Sequence, residues 1–220
     1  MNYAALVSAV SSYTENTFPT VDMNLFITQA EKRIYNTVQI PALRKNVTGI
    51  TTASNKYLAC PDDFLSSYSL AAIDPATGAY SYLLNKDVNF IREAYPKPTS
   101  TGSPKYYALF GPAVASSVIT TELTFIIGPT PDAAYSMELH YYYYPESIVT
   151  ASTTWLSDNY DPALLYGTLV EAYTYMKGET DMIALYDGKY KEAMGQLKRL
   201  GDGLERQDAY RSGQARVPVT

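Results

Sequence analysis

The 220-residue chain has only one cysteine, Cys60, and only one histidine, His140. A lone cysteine cannot form an internal disulfide, and a zinc site would have to rely almost entirely on carboxylates, which is unusual. A catalytic serine or cysteine would need His140 as its base, yet the chain has no G-x-S-x-G motif. We therefore expect no metal, no cofactor and no histidine-dependent catalysis, and we interpret Cys60 as a small core residue.

Charged residues are also scarce, at 18% of the chain, and the formal net charge is −5. This acidic balance disfavours non-specific adhesion to nucleic acid or to anionic membranes. No apolar run approaches the roughly 20 residues that span a bilayer, and the N-terminus lacks the positive region of a signal peptide. The sequence therefore predicts no membrane partner and synthesis in the cytoplasm.

Helical periodicity occurs at the N-terminal end of the chain. Residues 2–15 are predicted to form a first helix, and Asp22 is predicted to cap a second one. The apolar residues of this second helix recur on one face, at Met23, Ile27, Ala30, Ile34 and Val38. Glu31, Lys32 and Arg33 are expected on or near the opposite face.

Residues 161–211 return to helical periodicity. Asp161 and Pro162 form a start signal, and the next long helix carries its apolar face at Met182, Tyr186, Tyr190, Ala193, Leu197 and Leu200. Gly201 and Gly203 weaken its continuation by roughly 1 kcal/mol each relative to alanine. Residues 206–220 hold three arginines against Asp208 and have no sustained apolar face, so they are predicted to form a flexible tail that becomes ordered only on a partner.

Between these helical segments, residues 45–144 consist of short Thr-, Val-, Ile- and Tyr-rich runs separated by turn clusters. They predict a mainly antiparallel β-domain with one short helix over residues 86–94. The terminal helices need each other to bury their apolar faces, so we predict an α+β fold with a bundle built from both ends. The predicted parts are bundle helices at 1–44 and 151–205, an inserted β-domain at 45–150, and the tail at 206–220.

Tyrosine is abundant, with 22 residues, four of them in succession from Tyr141 to Tyr144. Alternate residues of a strand face opposite sides, so Tyr141 and Tyr143 are predicted on the core face. Tyr142 and Tyr144 are predicted on the polar face. Exposed tyrosines supply a large and rigid contact area, so we expect this second pair to contact a partner.

Four strings follow one another along the chain: KYLACPDDFLS (56–66), TGSPKYYALFG (101–111), FIIGPTPDAAYSMELHYYYYPESI (125–148) and TTWLSDNYDPALLYGTLVEAYTYMKGE (153–179). Together, and in this order, they resemble the head-to-tail adaptor proteins of short-tailed bacteriophages. They are similar to that family's Pro-x-Asp-Phe strand end, its Gly-x-Pro-x-Tyr-Tyr turn, its Tyr-Tyr strand ending in proline, and its Trp-Leu loop before a helix. Cys60 departs from the pattern, because an aliphatic residue is expected there.

The resemblance implies a non-enzymatic structural protein at the head–tail junction of the virion. Such adaptors form a homo-oligomeric ring, usually dodecameric, between the portal protein and a tail nozzle or tail fibre protein. Genomic DNA passes through the ring without specific binding. From the family and the composition of the tail, we predict portal contact at Arg206, Tyr210, Arg211 and Arg216. Tyr142 and Tyr144 are predicted to contact a neighbouring subunit or a tail component.

Two other functions stay open at the level of the residues. Asp62 and Asp63 could form the carboxylate pair of a cell-wall hydrolase, although adjacent side chains usually diverge. The tyrosine-rich faces could instead serve a glycan- or receptor-binding β-module. These alternatives differ from the adaptor in what they require, since one needs a proton-donating carboxyl group and the other a sugar platform.

Overall fold

Two main hydrophobic cores organise the chain. The computed structural model describes the backbone of residues 1–115 and 118–212, and the side chains of residues 1–112 and 123–204. One unit comprises Met1–Leu43 together with the chain from Pro145 onward, and the other comprises Arg44–Tyr144. The first unit is helical and the second consists mainly of strands, so the predicted α+β class is confirmed.

The helices within the described residues are α1 (Tyr3–Thr14), α2 (Thr20–Thr37), α3 (Val88–Ala94), α4 (Ile148–Ala151), α5 (Trp155–Asn159), α6 (Asp161–Tyr175) and α7 (Thr180–Ser212). A 3-10 turn over Pro41–Leu43 follows α2. None of these helices has the length and apolar character needed to cross a membrane.

The strands are β1 (Arg44–Ile50), β2 (Tyr57–Ala59), β3 (Phe64–Ile73), β4 (Tyr80–Tyr82), β5 (Leu84–Asn85), β6 (Thr101–Gly102), β7 (Tyr106–Ala115), β8 (Val118–Gly128), β9 (Thr130–Pro131) and β10 (Ser136–Tyr143). One four-stranded sheet has the order β1-β10-β3-β4 and the other has the order β2-β8-β7-β5. Pairing is antiparallel except between β5 and β7 and in the small β6–β9 pair.

The core of the helical unit is formed by residues from both ends of the chain. All members of the predicted apolar face of α2 are at most 4% exposed, which confirms its periodicity. They pack with residues of α1, α6 and α7, including Leu6, Leu164, Leu169 and Leu197. Burial of these side chains is the main source of stability for helices of this length.

Helices α2 and α6 approach each other closely in this core. Gly167 on α6 is buried, and a Cβ at this position would lie 3.1 Å from the Cβ of Ala30 and 3.2 Å from the ring of Tyr190. Small residues on both helices therefore allow the two backbones to approach closely.

Two expectations about α2 were wrong. Asp22 does not cap the helix, because α2 begins at Thr20 after Pro19, and Asp22 lies within the first turn. Glu31 does not face solvent, since it is only 3% exposed and its carboxylate accepts a hydrogen bond of 2.9 Å from the backbone N–H of Ile148. Burial raises the pKa of Glu31, and the hydrogen bonds from Ile148 and Ser147 oppose that rise.

Helix α7 differs from its prediction at the C-terminal end. Leu200 is 41% exposed rather than buried, and the helix continues through Gly201 and Gly203 to Ser212. Gly201 is buried, and a Cβ at this position would lie 3.4 Å from the carbonyl oxygen of Gln39. This glycine serves close packing rather than helix termination. The predicted tail thus falls on α7 up to residue 212, and the rest of it lies outside the described residues.

In the β-unit, side chains from both four-stranded sheets share one core, with Leu70, Phe125, Met137 and Tyr141 among its most buried residues. Helix α3, which begins at Val88 after the capping residue Asp87, packs through Ile91 on Ala108 and Ile126 of the second sheet. The unit ends at Tyr144 rather than at the predicted residue 150, since Ile148 is buried in the helical core.

We predict that Gly167→Val lowers the free energy of unfolding by about 1–3 kcal/mol, because the added side chain overpacks the contact between α2 and α6. Gly188→Val is the matched control, since Gly188 also lies in a helix but its Cβ would meet no atom within 4 Å. Urea unfolding at an unchanged slope measures both effects. Equal midpoints for the two variants would contradict the proposed packing.

Candidate interaction surfaces

The residues with catalytic potential lie in structural positions. Cys60 is buried, and this burial raises the pKa of its thiol to about 12, so the thiol stays protonated at neutral pH. The ring of His140 packs edge-on against Tyr68, with 5.2 Å between the ring centroids. Over the described part of the chain, no group of three or more His, Cys, Asp or Glu side chains is arranged to hold a metal ion.

Asp63 connects three segments of the β-unit. Its carboxylate accepts a 2.6 Å hydrogen bond from the Lys45 ammonium and a 2.7 Å hydrogen bond from the Tyr141 hydroxyl. Its backbone carbonyl accepts from the N–H of Tyr144 at 2.9 Å. Lys45 lies on β1 and Tyr141 on β10, so Asp63 joins the loop before β3 to the first and last strands of the unit.

The electrostatics of Asp63 match this structural role. Partial burial raises the pKa of the carboxyl group, but the hydrogen bonds from Lys45 and Tyr141 and the charge of Lys45 together hold it below its ordinary value. The general acid of a glycosidase needs a raised pKa instead. Asp62 is exposed to solvent. The geometry of this pair therefore argues against the hydrolase alternative.

The four successive tyrosines, the first three of them in β10, do not alternate in exposure as predicted. Tyr141 is buried at 1% exposure, as expected, but Tyr142 is also buried, at 6%. The expected exposure of Tyr142 is therefore wrong. Tyr142 still lies on the outer face of the sheet, and it is other side chains on that face that bury it. The register between β10 and β3 shifts before Tyr141 and after Tyr142, where β3 has extra residues at Tyr68 and Leu65.

Arg44 and Tyr68 cover Tyr142. The Arg44 guanidinium donates a 2.7 Å hydrogen bond to the Tyr142 hydroxyl and lies 3.9 Å above the ring of Tyr68. The rings of Tyr68 and Tyr142 also meet edge-on at 6.4 Å. Arginine has a planar, weakly hydrated cation that can stack on tyrosine faces and bury them. Sequence reasoning missed this arrangement because Arg44 lies 98 residues before Tyr142 in the chain.

The other two tyrosines of the run behave differently from each other. Tyr143 is half-buried and packs against the core of the β-unit, while Tyr144 is 38% exposed. The exposure expected of Tyr144 is therefore confirmed, and its contact with a partner stays a prediction.

An aromatic surface covers the outer face of the first sheet. We define this tyrosine surface as Tyr68, Tyr80, Tyr82 and Tyr142, with Glu138 and His140 between them. Tyr68, Tyr80 and Tyr82 are 46%, 52% and 68% exposed, and the Tyr80 hydroxyl donates to Glu138 at 3.1 Å. Tyr80 and Tyr82 stand two residues apart in one strand, so their shared face could have been found from the sequence.

The residues predicted to contact the portal lie at the end of the chain. Arg206, Tyr210 and Arg211 fall within the last turns of α7, whereas Arg216 lies outside the described residues. Leu204, which precedes them on the same helix, packs against the helical core.

A protein family matches the chain almost from end to end. The family model described as SU10 adaptor protein matches residues 1–218, which include both units of the fold. No curated protein matches the chain. The match therefore extends the resemblance from the four strings to the N-terminal helices and to the end of α7.

We predict that Asp63→Asn lowers the free energy of unfolding by about 1–3 kcal/mol at pH 7, because the buried Tyr141 hydroxyl loses its charged acceptor. A carboxyl group with a lowered folded-state pKa stabilises the protein above its unfolded-state pKa, and this contribution is lost as the pH falls through the folded-state pKa. The difference from the wild type should thus be full at pH 7 and shrink below about pH 4.

Asp62→Asn is the matched control, since this neighbouring carboxylate is exposed. Its effect should stay within about 0.5 kcal/mol at every pH. Thermal unfolding as a function of pH measures both variants. A pH-independent loss in Asp63→Asn would show that its charge does not stabilise the fold.

Proposed function

The chain belongs to the SU10 adaptor protein family, and from this membership we propose that it assembles as a ring that joins the phage portal to the tail. A structural role in the phage particle follows from the family itself. The proposed ring rests on the family match over residues 1–218, because this match covers both units of the chain.

The division of the chain supports distinct roles for its two units. We propose that the helices of Met1–Leu43 and of the segment after Pro145 form a terminal bundle, and that Arg44–Tyr144 is a β-domain inserted into it. In the proposed ring, the bundle contacts the portal and the β-domain faces the tail nozzle or tail fibre protein.

Charge supports the proposed passage of DNA through the ring. The chain carries 22 acidic and 17 basic residues, which leaves a net charge of −5. An acidic wall repels phosphates, so DNA can pass during ejection without adhering to the lumen. Such passage requires no specific contact with bases.

The exposed tyrosines support a contact between the β-domain and another protein. Tyr144 and the exposed members of the tyrosine surface, Tyr68, Tyr80 and Tyr82, supply aromatic area with polar tips. We assign them to a neighbouring subunit or a tail component. Tyr142, which we also predicted to make this contact, would act by supporting Tyr68 from below.

The hydrolase and glycan-binding alternatives are not tested by the family match and stay predictions. The hydrogen bonds of Asp63 to Lys45 and Tyr141 weaken the first of them. The exposed tyrosines suit protein contacts and sugar stacking alike, so the family match is what favours the adaptor.

We predict that the isolated protein is monomeric or weakly associated and that portal rings of the same phage recruit it. Arg206→Glu combined with Arg211→Glu should weaken recruitment at least tenfold, because reversed charge at the proposed portal contact slows binding and opposes docking. Arg199→Glu is the matched control, since Arg199 is an exposed arginine on the same helix, before Leu204. Light scattering with and without portal measures recruitment.

Wild-type protein that never binds the portal would refute the proposed function. Equal recruitment of the wild type, the double variant and Arg199→Glu would refute only the assignment of Arg206 and Arg211. Truncation before Arg216 separately tests the last member of the predicted contact, with weaker recruitment expected.

A further inference from the structure

An apolar cleft opens between the edges of the two sheets in the β-unit. It has a volume of about 270 Å³, and Val47 and Gly49 of β1 lie on one side, with Leu58 of β2 and Cys60 on the other. Core residues Leu70, Met137 and Leu139 form its floor. None of the residues that line it is charged, so the cleft suits apolar side chains from a neutral segment.

Both strands beside the cleft are edge strands. Within the described residues, β1 pairs only with β10, and β2 pairs only with β8. The Thr51 N–H bonds to the Tyr135 carbonyl at 2.9 Å. Since antiparallel bonding alternates along a strand, Asn46 and Thr48 direct their backbone groups away from β10. The cleft is therefore flanked by backbone groups that can accept a further strand.

A neutral hairpin extends from the second sheet. The β2 side of the sheet ends with the bond from the Cys60 N–H to the Leu123 carbonyl at 3.0 Å, and β5 pairs with β7 only at Tyr106 and Tyr107. Beyond these points the described parts of β7 and β8 pair with each other. We call residues 111–121 the arm.

The sequence of the arm is neutral and partly apolar. It contains no charged residue, and a two-stranded hairpin without a third strand is marginally stable in water. Its apolar residues, which include Val114, Val118 and Ile119, make it a suitable donor for a neutral, apolar acceptor. The arm and the cleft thus match in charge and in backbone hydrogen bonding.

The cleft of the same copy is a poor acceptor for this arm. The arm is continuous with β8, and β8 already pairs with β2 on the side opposite the free edge of β2. To reach its own cleft, the arm would have to cross over β2. A second copy can approach the same cleft from its open side.

We propose that the arm of one copy docks on the cleft of the next copy, where it adds a strand to the free edge of β1 and inserts apolar side chains between the two sheets. This inference rests on the proposed function, because it supplies the contact between copies in the ring. Donor and acceptor are different surfaces of one chain, so the contact is head-to-tail, which is the type that closes rings.

The first test places a charge on each face of β1. Val47 lines the cleft and is 37% exposed, whereas Ile50 is 72% exposed and lies on the opposite face of the strand. Val47→Asp should reduce ring formation on portal at least tenfold, since an unpaired charge would have to be buried on docking. Ile50→Asp should assemble like the wild type.

The second test shortens the arm. Replacement of residues 113–120 by Asn-Gly, which favours a tight hairpin turn, should leave the circular dichroism and melting temperature of the monomer nearly unchanged and abolish ring formation. A cysteine pair provides a direct readout in a Cys60→Ala background. Val47→Cys, combined with cysteine in place of Ala113, Val114 or Ala115 in turn, should give a ladder of cross-linked copies on portal under a mild oxidant. Ile50→Cys with the same arm positions should give none.

The outcomes separate this inference from the proposed function. If wild-type rings form on portal while both the Val47→Asp and arm-shortened variants also form them, docking of the arm is wrong and the ring stands. A cross-linked ladder from the Ile50→Cys pairs, with none from the Val47→Cys pairs, would likewise overturn the inference. If the wild type forms no ring with any portal of its phage, both proposals fall.

Discussion

The packing of α2 against α6 is the contact on which the organisation of the chain depends. Ala30 and Gly167 are small enough for the two helices to approach closely, and they come from segments on either side of the β-unit. Both segments contribute side chains to one hydrophobic core, so each stabilises the other. Glu31 strengthens the same junction, since its buried carboxylate holds the N-terminal end of α4. The chain must therefore leave a single helical core at the start of the β-unit and return to it at the end.

The β-unit satisfies this requirement by making its first and last strands neighbours. β1 and β10 pair along their full length, from Arg44 opposite Tyr142 to Ile50 opposite Ser136. Asp63 reinforces the pair by binding Lys45 on one strand and Tyr141 on the other. The same arrangement leaves the outer edge of β1 unpaired. A strand that secures the connection within the chain thus also offers an edge to another chain.

Regular periodicity predicted most of the secondary structure, because buried positions recur at 3.6 or 2 residues wherever a single face meets a core. The predictions failed where a long-range contact replaced the local rule. Glu31 is buried by a backbone donor from α4, Gly201 packs against the carbonyl of Gln39, and Tyr142 is covered by Arg44 of the neighbouring strand β1. Each of these depends on a partner distant in sequence, and a single sequence does not reveal such partners. Tyr68 of the tyrosine surface was missed for the same reason, since its position depends on the shifted pairing of β3 with β10.

The abundance of tyrosine also has an explanation in the charge of the chain. Acidic residues outnumber lysine and arginine, 22 to 17, so some carboxylates must find donors other than cations. Tyrosine hydroxyls supply them at Tyr80 with Glu138, Tyr135 with Asp132, Tyr141 with Asp63 and Tyr175 with Asp22. The hydrogen bond to Glu138 accordingly raises the pKa of Tyr80, which keeps the hydroxyl protonated and able to donate. A tyrosine in this role satisfies a carboxylate and adds contact area without adding positive charge. Such a composition gives cohesive surfaces between proteins while the whole stays acidic, and both properties suit the proposed ring through which DNA passes.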